Sequence, residues 1–238
     1  MDGFRIVPVD LEDIGVAALG GVPVQQPFAA VLGCSDARAP TELIFDRACN
    51  ELFVVRVAGN VLGEAPLGSV GYAVDHFGAD LKVVLVLGHS GCGAVTAAVD
   101  AYLTPVKYLG LAATHQIRRI VDALFPAVRG AATSLESVWG ADVEKAPGWR
   151  AALVECSVIV NAALAASILE KSFGTPTNER RFVFGIYDLA TRRVHVPSSP
   201  ERDEPVAGMQ DAPRSDDDFR LLAVRVAKSA HVRRLLGR

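Results

Sequence analysis

The sequence predicts an α/β fold with a mainly parallel central β-sheet, flanked by helices and followed by a C-terminal helical extension. Short segments rich in β-branched and aromatic residues alternate with longer helical segments along the chain. Most of these short segments are apolar along their whole length, which is typical of parallel strands covered on both faces. The chain has 238 residues, of which 50% are hydrophobic, so it is long and apolar enough to bury one large core.

Four segments have the composition of buried parallel strands. They are Phe28–Gly33, Leu52–Val57, Leu81–Leu87 and Arg181–Tyr187. A fifth short strand, Arg193–Val196, follows a turn-like segment at residues 188–191. Because a short turn joins two antiparallel strands, we expect this fifth strand to pair antiparallel at an edge of the sheet.

Helical segments lie between the predicted strands. They are Pro40–Arg47, Leu67–Phe77, Cys92–Tyr102, Thr114–Val128 and Trp149–Phe173. The last segment is the most convincing, because it is rich in Ala, Leu and Glu and is followed by Gly174, a residue that commonly ends helices.

The composition divides the chain into three parts. Residues 1–197 contain all the predicted strands and form one α/β domain. Residues 198–214 are rich in Pro, Asp and Glu, which is typical of a linker, and residues 215–238 form an amphipathic C-terminal helix. Ser215 is suited to cap this helix, and Phe219–Leu236 carries apolar residues at three- and four-residue steps. We expect that apolar face to pack on a partner subunit or on the chain's own core.

Charge and hydropathy exclude several classes of function. The net charge is −3, and the basic residues near the C-terminus follow three consecutive aspartates, so we expect no nucleic-acid partner. No apolar run reaches the roughly 18–20 residues that cross a bilayer, so we expect no membrane span. The N-terminal residues include acids and do not resemble a secretory signal. Cys34 and Cys92 lie in Gly- and Ser-flanked turns, whereas Cys49 and Cys156 lie in apolar surroundings. This difference favours a metal site over a disulfide framework and predicts a reducing, cytoplasmic location.

The first motif that indicates chemistry is the segment from Cys34 to Arg38, with the sequence CSDAR, directly after the first predicted strand. Ligands of parallel α/β sheets bind at the carboxyl ends of the strands. While the chain stays extended, residues two apart point the same way, so Cys34, Asp36 and Arg38 can face one pocket. The plainer interpretation is that Asp36 and Arg38 form only a turn-stabilising ion pair.

The second motif is the Gly-rich segment that contains His89 and Cys92, directly after the third predicted strand. The two motifs bring two thiolates and an imidazole to the same sheet edge, and zinc accepts this ligand set in tetrahedral geometry. The fourth position would be open for water or for Asp36. A purely structural zinc site is disfavoured, because such sites typically use four Cys and His ligands.

These motifs resemble those of the β-carbonic anhydrases, and the resemblance runs from about Gln25 to His195. The family's Cys-x-Asp-x-Arg and His-x-x-Cys patterns are matched at every defining position. Matching phrases around them are Phe53-Val54-Val55-Arg56, Ala58-Gly59-Asn60, Gly71-Tyr72-Ala73-Val74 and Val86-Leu87-Gly88-His89.

The resemblance implies a role for each residue of the two motifs. Cys34, His89 and Cys92 would hold Zn²⁺. Asp36, paired to Arg38, would accept a hydrogen bond from zinc-bound hydroxide and orient it. In a closed state, found in some members of the family, Asp36 itself would ligate the metal.

The resemblance also implies substrate-binding positions and an assembly. Gln25, Phe53, Tyr72 and Gly88 would contact the substrate, with the two aromatic residues lining a small apolar CO₂ pocket partly across a subunit interface. The chain would therefore form a homodimer, which in this family is often assembled further into tetramers.

The function that these observations predict is that of a zinc lyase, carbonate dehydratase, which reversibly hydrates carbon dioxide to bicarbonate and a proton. Two alternatives remain open. One is a hydrolase of carbonyl sulfide or carbon disulfide on the same zinc site. The other is a catalytically silent, zinc-binding regulatory homologue, which the presence of Asp36, Arg38 and Gln25 disfavours.

Overall fold

A parallel sheet extended by short antiparallel strands forms the centre of the molecule. The computed structural model describes residues 24–112, 115–175, 180–196 and 206–238. Its strands are β1 (Ala29–Cys34), β2 (Leu52–Val57), β3 (Val83–His89), β4 (Arg181–Asp188), β5 (Arg193–Val196), β6 (Val206–Ala207) and β7 (Gln210–Asp211). In the described residues these seven strands form one sheet in the order β2-β1-β3-β4-β5-β6, and β7 also pairs with β4. Strands β1 to β4 pair in parallel, whereas β5, β6 and β7 pair antiparallel.

The predicted α/β class and the four parallel strands are confirmed, with strand ends that differ by one or two residues. Strand β5 has the predicted bounds and direction, but the prediction that it is an edge strand is wrong. Strand β6 pairs with the edge of β5 that faces away from β4. Strand β7 also pairs antiparallel with β4. Both additional strands come from the predicted linker, and each has two residues, which is too short for any alternation of polar and apolar residues to appear.

The helices pack mainly against one face of the sheet, where the larger of its two apolar clusters lies. They are α1 (Thr41–Ile44), α2 (Glu64–Phe77), α3 (Gly93–Leu103), α4 (Pro105–Ala112), α5 (His115–Trp139), α6 (Trp149–Phe173), α7 (Asp216–Ala227) and α8 (Ala230–Leu235). Helix α4 was not predicted, and α5 continues to Trp139 rather than ending at Val128. Helix α5 contains Pro126 and Gly130, which disfavour a helix locally. Its buried residues, including Leu124 and Leu135, pack in the main core, so tertiary packing stabilises the helix despite these two residues.

Helix α6 is the core helix of the molecule, and its predicted bounds are confirmed. It packs against β3 and β4 on one side and against α5 on the other. Among the described residues, α6 is the one helix with the length and composition to cross a bilayer, but 78% of its apolar window is buried inside the fold. Burial against the sheet therefore accounts for its apolar character.

The predicted C-terminal helix is two helices, because the chain breaks at Lys228 and Ser229 between α7 and α8. Ser215 caps α7 in a capping box with Asp218, as its position before the helix predicts, and Ser229 caps α8 in turn. A serine at a helix N-cap competes with helix continuation, which explains the break. Buried Leu222 and other apolar residues of α7 pack on the chain's own core. The indole Nε1 of Trp139 also donates a hydrogen bond of 2.9 Å to the carbonyl of Ala227.

Candidate metal centre

Two neighbouring parallel strands deliver the candidate metal ligands to one edge of the sheet. Cys34 is the last residue of β1, His89 is the last residue of β3, and Cys92 lies directly before α3. All three side chains are buried. Their ligand atoms lie within 4.8 Å of one another, and the two cysteine sulfurs are 4.0 Å apart. The sequence motifs predicted this cluster, and the structure brings its three members together.

The imidazole of His89 is oriented for metal binding. Its Nδ1 lies 3.0 Å from the carbonyl oxygen of Ser90, so the proton of the neutral ring is placed on Nδ1. Its Nε2 is buried and has no hydrogen-bond partner among the described residues. A buried nitrogen without a partner costs free energy unless something binds it. A metal-ligating histidine commonly donates its other ring N–H to a backbone carbonyl, so this arrangement fits a metal ligand.

The two cysteines share an environment that favours negative charge on one sulfur. The hydrogen bond from the Cys92 thiol lowers the pKa of Cys34 to about 4, against the opposing effect of burial. The backbone N–H of Gly59 also donates to the sulfur of Cys34 over 3.2 Å. The same thiol–thiolate bond, together with burial, raises the pKa of Cys92. Two buried thiolates at this separation repel each other, so a divalent cation is the group that allows both to ionise.

Asp36 and Arg38 form a two-pronged ion pair beside the ligands. The Nε of Arg38 donates to Oδ1 of Asp36 at 3.0 Å, and Nη2 donates to Oδ2 at 2.7 Å. The backbone N–H of Arg38 also donates to Oδ1. These hydrogen bonds hold the pKa of Asp36 well below its usual range. Oδ2 of Asp36 lies 3.9 Å from Nε2 of His89, so the carboxylate faces the ligand cluster.

Arg56 on β2 fixes the backbone of the first motif. Its Nε donates to the carbonyl of Cys34 at 2.9 Å, and its Nη2 donates to the carbonyl of Asp36 at 2.5 Å. Arg56 pairs in register with Gly33 on the adjacent strand, which places its guanidinium beside the end of β1. The segment after β1 is therefore held from the neighbouring strand.

Helix α6 supports both ligand segments through residues that the sequence analysis did not identify. The carboxylate of Glu155 accepts a hydrogen bond of 3.2 Å from the backbone N–H of Gly91, which lies in the turn between His89 and Cys92. Gly91 has a φ of 62°, so this turn uses the left-handed conformation that glycine tolerates. Buried Asn161 donates to the carbonyl of Gly59 at 2.9 Å, and the N–H of the same glycine donates to Cys34. The sequence showed only that Glu155 and Asn161 are among several polar residues of a largely apolar helix.

The remaining predicted site residues lie elsewhere in the chain. Phe53 pairs in register with Ala30 near the amino end of β1, and its ring centroid is 6.1 Å from that of Tyr72. Gln25 is exposed and precedes β1, where the neighbouring Gln26 N–H donates to Asn50. The six residues of β1 separate this end from Cys34 by about 17 Å. One chain therefore does not bring these three residues to its own ligand cluster.

Gly88 has a packing role that the structure makes visible. It lies within β3, and a Cβ at this position would come within 2.9 Å of Ile186, with Val158 and Ala162 of α6 next nearest. The absent side chain thus leaves room for Ile186 on the neighbouring strand β4, whereas the atoms of α6 would be met only at ordinary contact distance. Contact between Gly88 and a substrate stays a prediction.

The part of the chain that carries the candidate metal centre matches a known protein family. Residues 29–172, more than half of the chain, match the family model described as carbonic anhydrase. The chain belongs to the β-carbonic anhydrase family. The structure also resembles that of the β-carbonic anhydrase CcaA, with a TM-score of 0.56 and 22% identity over 82% of this chain and 85% of the other. Tetrameric β-carbonic anhydrases from Sordaria macrospora give a TM-score of 0.52 and 17% identity, covering 79% of this chain and 84% of theirs. These similarities confirm the predicted fold.

Curated relatives match a shorter region. Carbonic anhydrase 2 of Mycobacterium tuberculosis is 40% identical over 104 residues, which are 44% of this chain and 47% of the relative. The carbonic anhydrase of Mycolicibacterium smegmatis is 46% identical over 77 residues, which are 32% of this chain and 36% of the relative. The chain thus spans less than half the length of these relatives in the matched region. Their names confirm the prediction of an enzyme family.

Loss of the support from α6 should weaken metal binding without removing a ligand. Asn161→Ala leaves the Gly59 carbonyl without its donor and loosens the turn that holds Cys34, so we expect zinc affinity to fall about 10–100-fold. Competition with a chromophoric chelator measures this affinity. Ser157→Ala is the matched control, because Ser157 lies on the same helix and its hydroxyl donates to the Leu153 carbonyl, its one hydrogen-bond partner in the described part of the chain. Equal zinc affinity in the two variants would show that Asn161 does not position Cys34.

Proposed function

We propose that this chain catalyses the reversible hydration of carbon dioxide to bicarbonate and a proton, with Zn²⁺ held by Cys34, His89 and Cys92. The observation that carries the proposal is the buried group of three ligand atoms, within 4.8 Å of one another, beside the Asp36–Arg38 pair. Membership of the β-carbonic anhydrase family supports the same reaction. The donor set of two thiolates and one imidazole suits zinc, which accepts soft and borderline ligands without a redox change. When bound, zinc supplies the activation of water as a nucleophile at neutral pH.

Asp36 orients the nucleophile. Arg38 keeps the pKa of Asp36 low, so the carboxylate of Asp36 stays ionised at neutral pH and can only accept hydrogen bonds. Its Oδ2 faces Nε2 of His89 and so lies beside the position where the reaction takes place. An acceptor at that point fixes the direction of the water's lone pair toward the substrate.

Arg38 restrains Asp36. Both carboxylate oxygens are engaged by the guanidinium, and such a planar fork fixes direction as well as distance. The pair therefore keeps the carboxylate at the side of the ligand cluster rather than in it. This role favours an active site over the plainer interpretation of a turn-stabilising ion pair.

The substrate pocket is proposed to form between two copies of the chain. Carbon dioxide is uncharged, so an apolar wall suits it, but Phe53 and Tyr72 lie at the opposite end of β1 from the ligands. Tyr72 is 50% exposed. Strand β2 occupies the end of the strand order, and all of its residues are only partly buried. An exposed edge with apolar side chains invites pairing with a second copy. Such a homodimer, whether or not it forms a tetramer, would place Gln25, Phe53 and Tyr72 of one chain at the metal of the other.

A cytoplasmic location remains a proposal that rests on the cysteines. All four cysteines are free, and the two in the candidate metal centre need reducing conditions to remain thiolates.

Carbon dioxide hydration by Asp36 and Arg38 variants tests the proposed reaction. We expect Asp36→Ala to lower turnover by about 10²–10³ with zinc retained, because one well-placed polar partner commonly contributes that much. Arg38→Ala should also lower turnover, because the freed carboxylate can move onto the metal. Stopped-flow indicator assays and elemental analysis measure rate and zinc content.

Asp217→Ala is the control for these variants, because Asp217 also pairs with an arginine, Arg220, but both side chains are exposed on α7. Near wild-type hydration by Asp36→Ala with full zinc content would overturn the mechanism. Turnover of carbonyl sulfide by the unaltered protein, without hydration of carbon dioxide, would overturn the proposal that carbon dioxide is the substrate.

Mixing two inactive variants tests the shared pocket. A heterodimer of Cys92→Ser and Gln25→Ala chains would contain one complete site. The Gln25→Ala chain would supply the intact ligand cluster, and the Cys92→Ser chain would supply the intact Gln25. We therefore expect activity to appear after the two variants are unfolded and refolded together. Each variant refolded alone is the control. If Gln25 served its own chain's metal, every site in the mixture would carry a defect, and activity would not rise.

A further inference from the structure

A cavity lined by none of the residues of the candidate metal centre lies between β7 and α7. Its volume is about 700 Å³, within the usual range for small-molecule sites. The lining residues that matter below are Gln210, Pro213, Leu221, Arg225 and Lys228. The proposed reaction uses none of them.

Arg225 is the feature of this cavity that calls for a ligand. It is only partly exposed, and among the described residues its side chain makes one hydrogen bond, from Nη2 to the neutral Oε1 of Gln210 at 2.7 Å. Its Nε is buried without a hydrogen-bond partner among the described residues. Burial lowers the pKa of this guanidinium, and no carboxylate pairs with it in the described part of the chain. A partly desolvated cation without an anionic partner is costly, so an anion would stabilise it.

The other charged residues around the cavity are already engaged, so the charge that remains unpaired there is positive. Asp211 pairs with Arg181, and Arg214 pairs with Glu170. Asp218 is engaged in the capping box of α7. Lys228 is exposed and forms no ion pair among the described residues. Within the described part of the chain, the two cations Arg225 and Lys228 therefore remain without a carboxylate partner.

The cavity also has an apolar wall. Leu221 is 66% exposed and lines the cavity together with Pro213, whereas the next residue, Leu222, is 2% exposed and belongs to the core. A cavity with an apolar wall and a few charged groups is typical of sites for organic ligands. A small inorganic anion would use the charges but would leave this wall in water.

We propose that the cavity between β7 and α7 binds a small organic monocarboxylate, with the carboxylate on Arg225 and Lys228 and the apolar body against Leu221 and Pro213. The guanidinium matches a carboxylate in geometry as well as in charge. The carboxylate supplies the anionic partner that Arg225 lacks among the described residues. The site is independent of the proposed carbon dioxide hydration.

Hexanoate is a suitable probe, and ligand-observed NMR titration measures its affinity. We expect saturable binding to the full chain that Arg225→Gln weakens at least tenfold. Arg220→Gln is the matched control, because Arg220 is on the same helix but is exposed and paired with Asp217. Hexanamide, which has the same chain without the charge, should bind at least tenfold more weakly than hexanoate. Circular dichroism checks that each variant is folded, and Lys228→Gln, at an exposed position, provides a second variant in which affinity should fall.

The Cys92→Ser variant distinguishes binding in the cavity from binding at the metal centre. Because Cys92 is not part of the cavity, this variant should keep its affinity for hexanoate. The proposal is overturned if hexanoate shows no saturable binding or if Arg225→Gln and Arg220→Gln bind it equally. It is also overturned if hexanamide binds as well as hexanoate, or if Cys92→Ser abolishes binding. None of these results depends on whether the chain hydrates carbon dioxide.

Discussion

Parallel pairing of β1 with β3 is the constraint on which the metal centre depends. Because the two strands run in the same direction, with Gly33 paired to Leu87, Cys34 and His89 emerge at the same edge of the sheet. The turn after β3 then returns Cys92 to the same point, 4.0 Å from Cys34. Neither motif would form a ligand set alone. The sheet brings them together, and the buried thiol and thiolate then favour the binding of a cation.

Helix α6 couples this arrangement to the core. It packs on β3 and β4, and it places Glu155 and Asn161 against the two ligand segments. The apolar residues of the helix stabilise the fold, and the two polar residues hold the ligand segments in place. Damage to the packing of α6 would therefore change metal geometry as well as stability.

The sequence alone predicted the features that depend on local patterns. The ligands and the Asp36–Arg38 pair are short motifs at strand ends, and α6 is long and strongly apolar. The features that it missed depend on distant contacts. Strand β6 exists because β5 offers an unpaired side, and α5 continues past Pro126 because the core buries its far half. The supports from Glu155 and Asn161 act on residues 64 and 102 positions away, so no local spacing could indicate them. Resemblance pointed to Gln25, Phe53 and Tyr72, but only the fold shows that they lie at the other end of β1.

The ligand assignment is the central claim, and zinc K-edge X-ray absorption of the purified protein tests it most directly. We predict a four-coordinate zinc with two sulfur neighbours at about 2.3 Å and one imidazole nitrogen at about 2.0–2.1 Å. The remaining neighbour should be a single oxygen, from water or from Asp36. A spectrum without sulfur neighbours, or with four of them, would contradict binding through Cys34, His89 and Cys92.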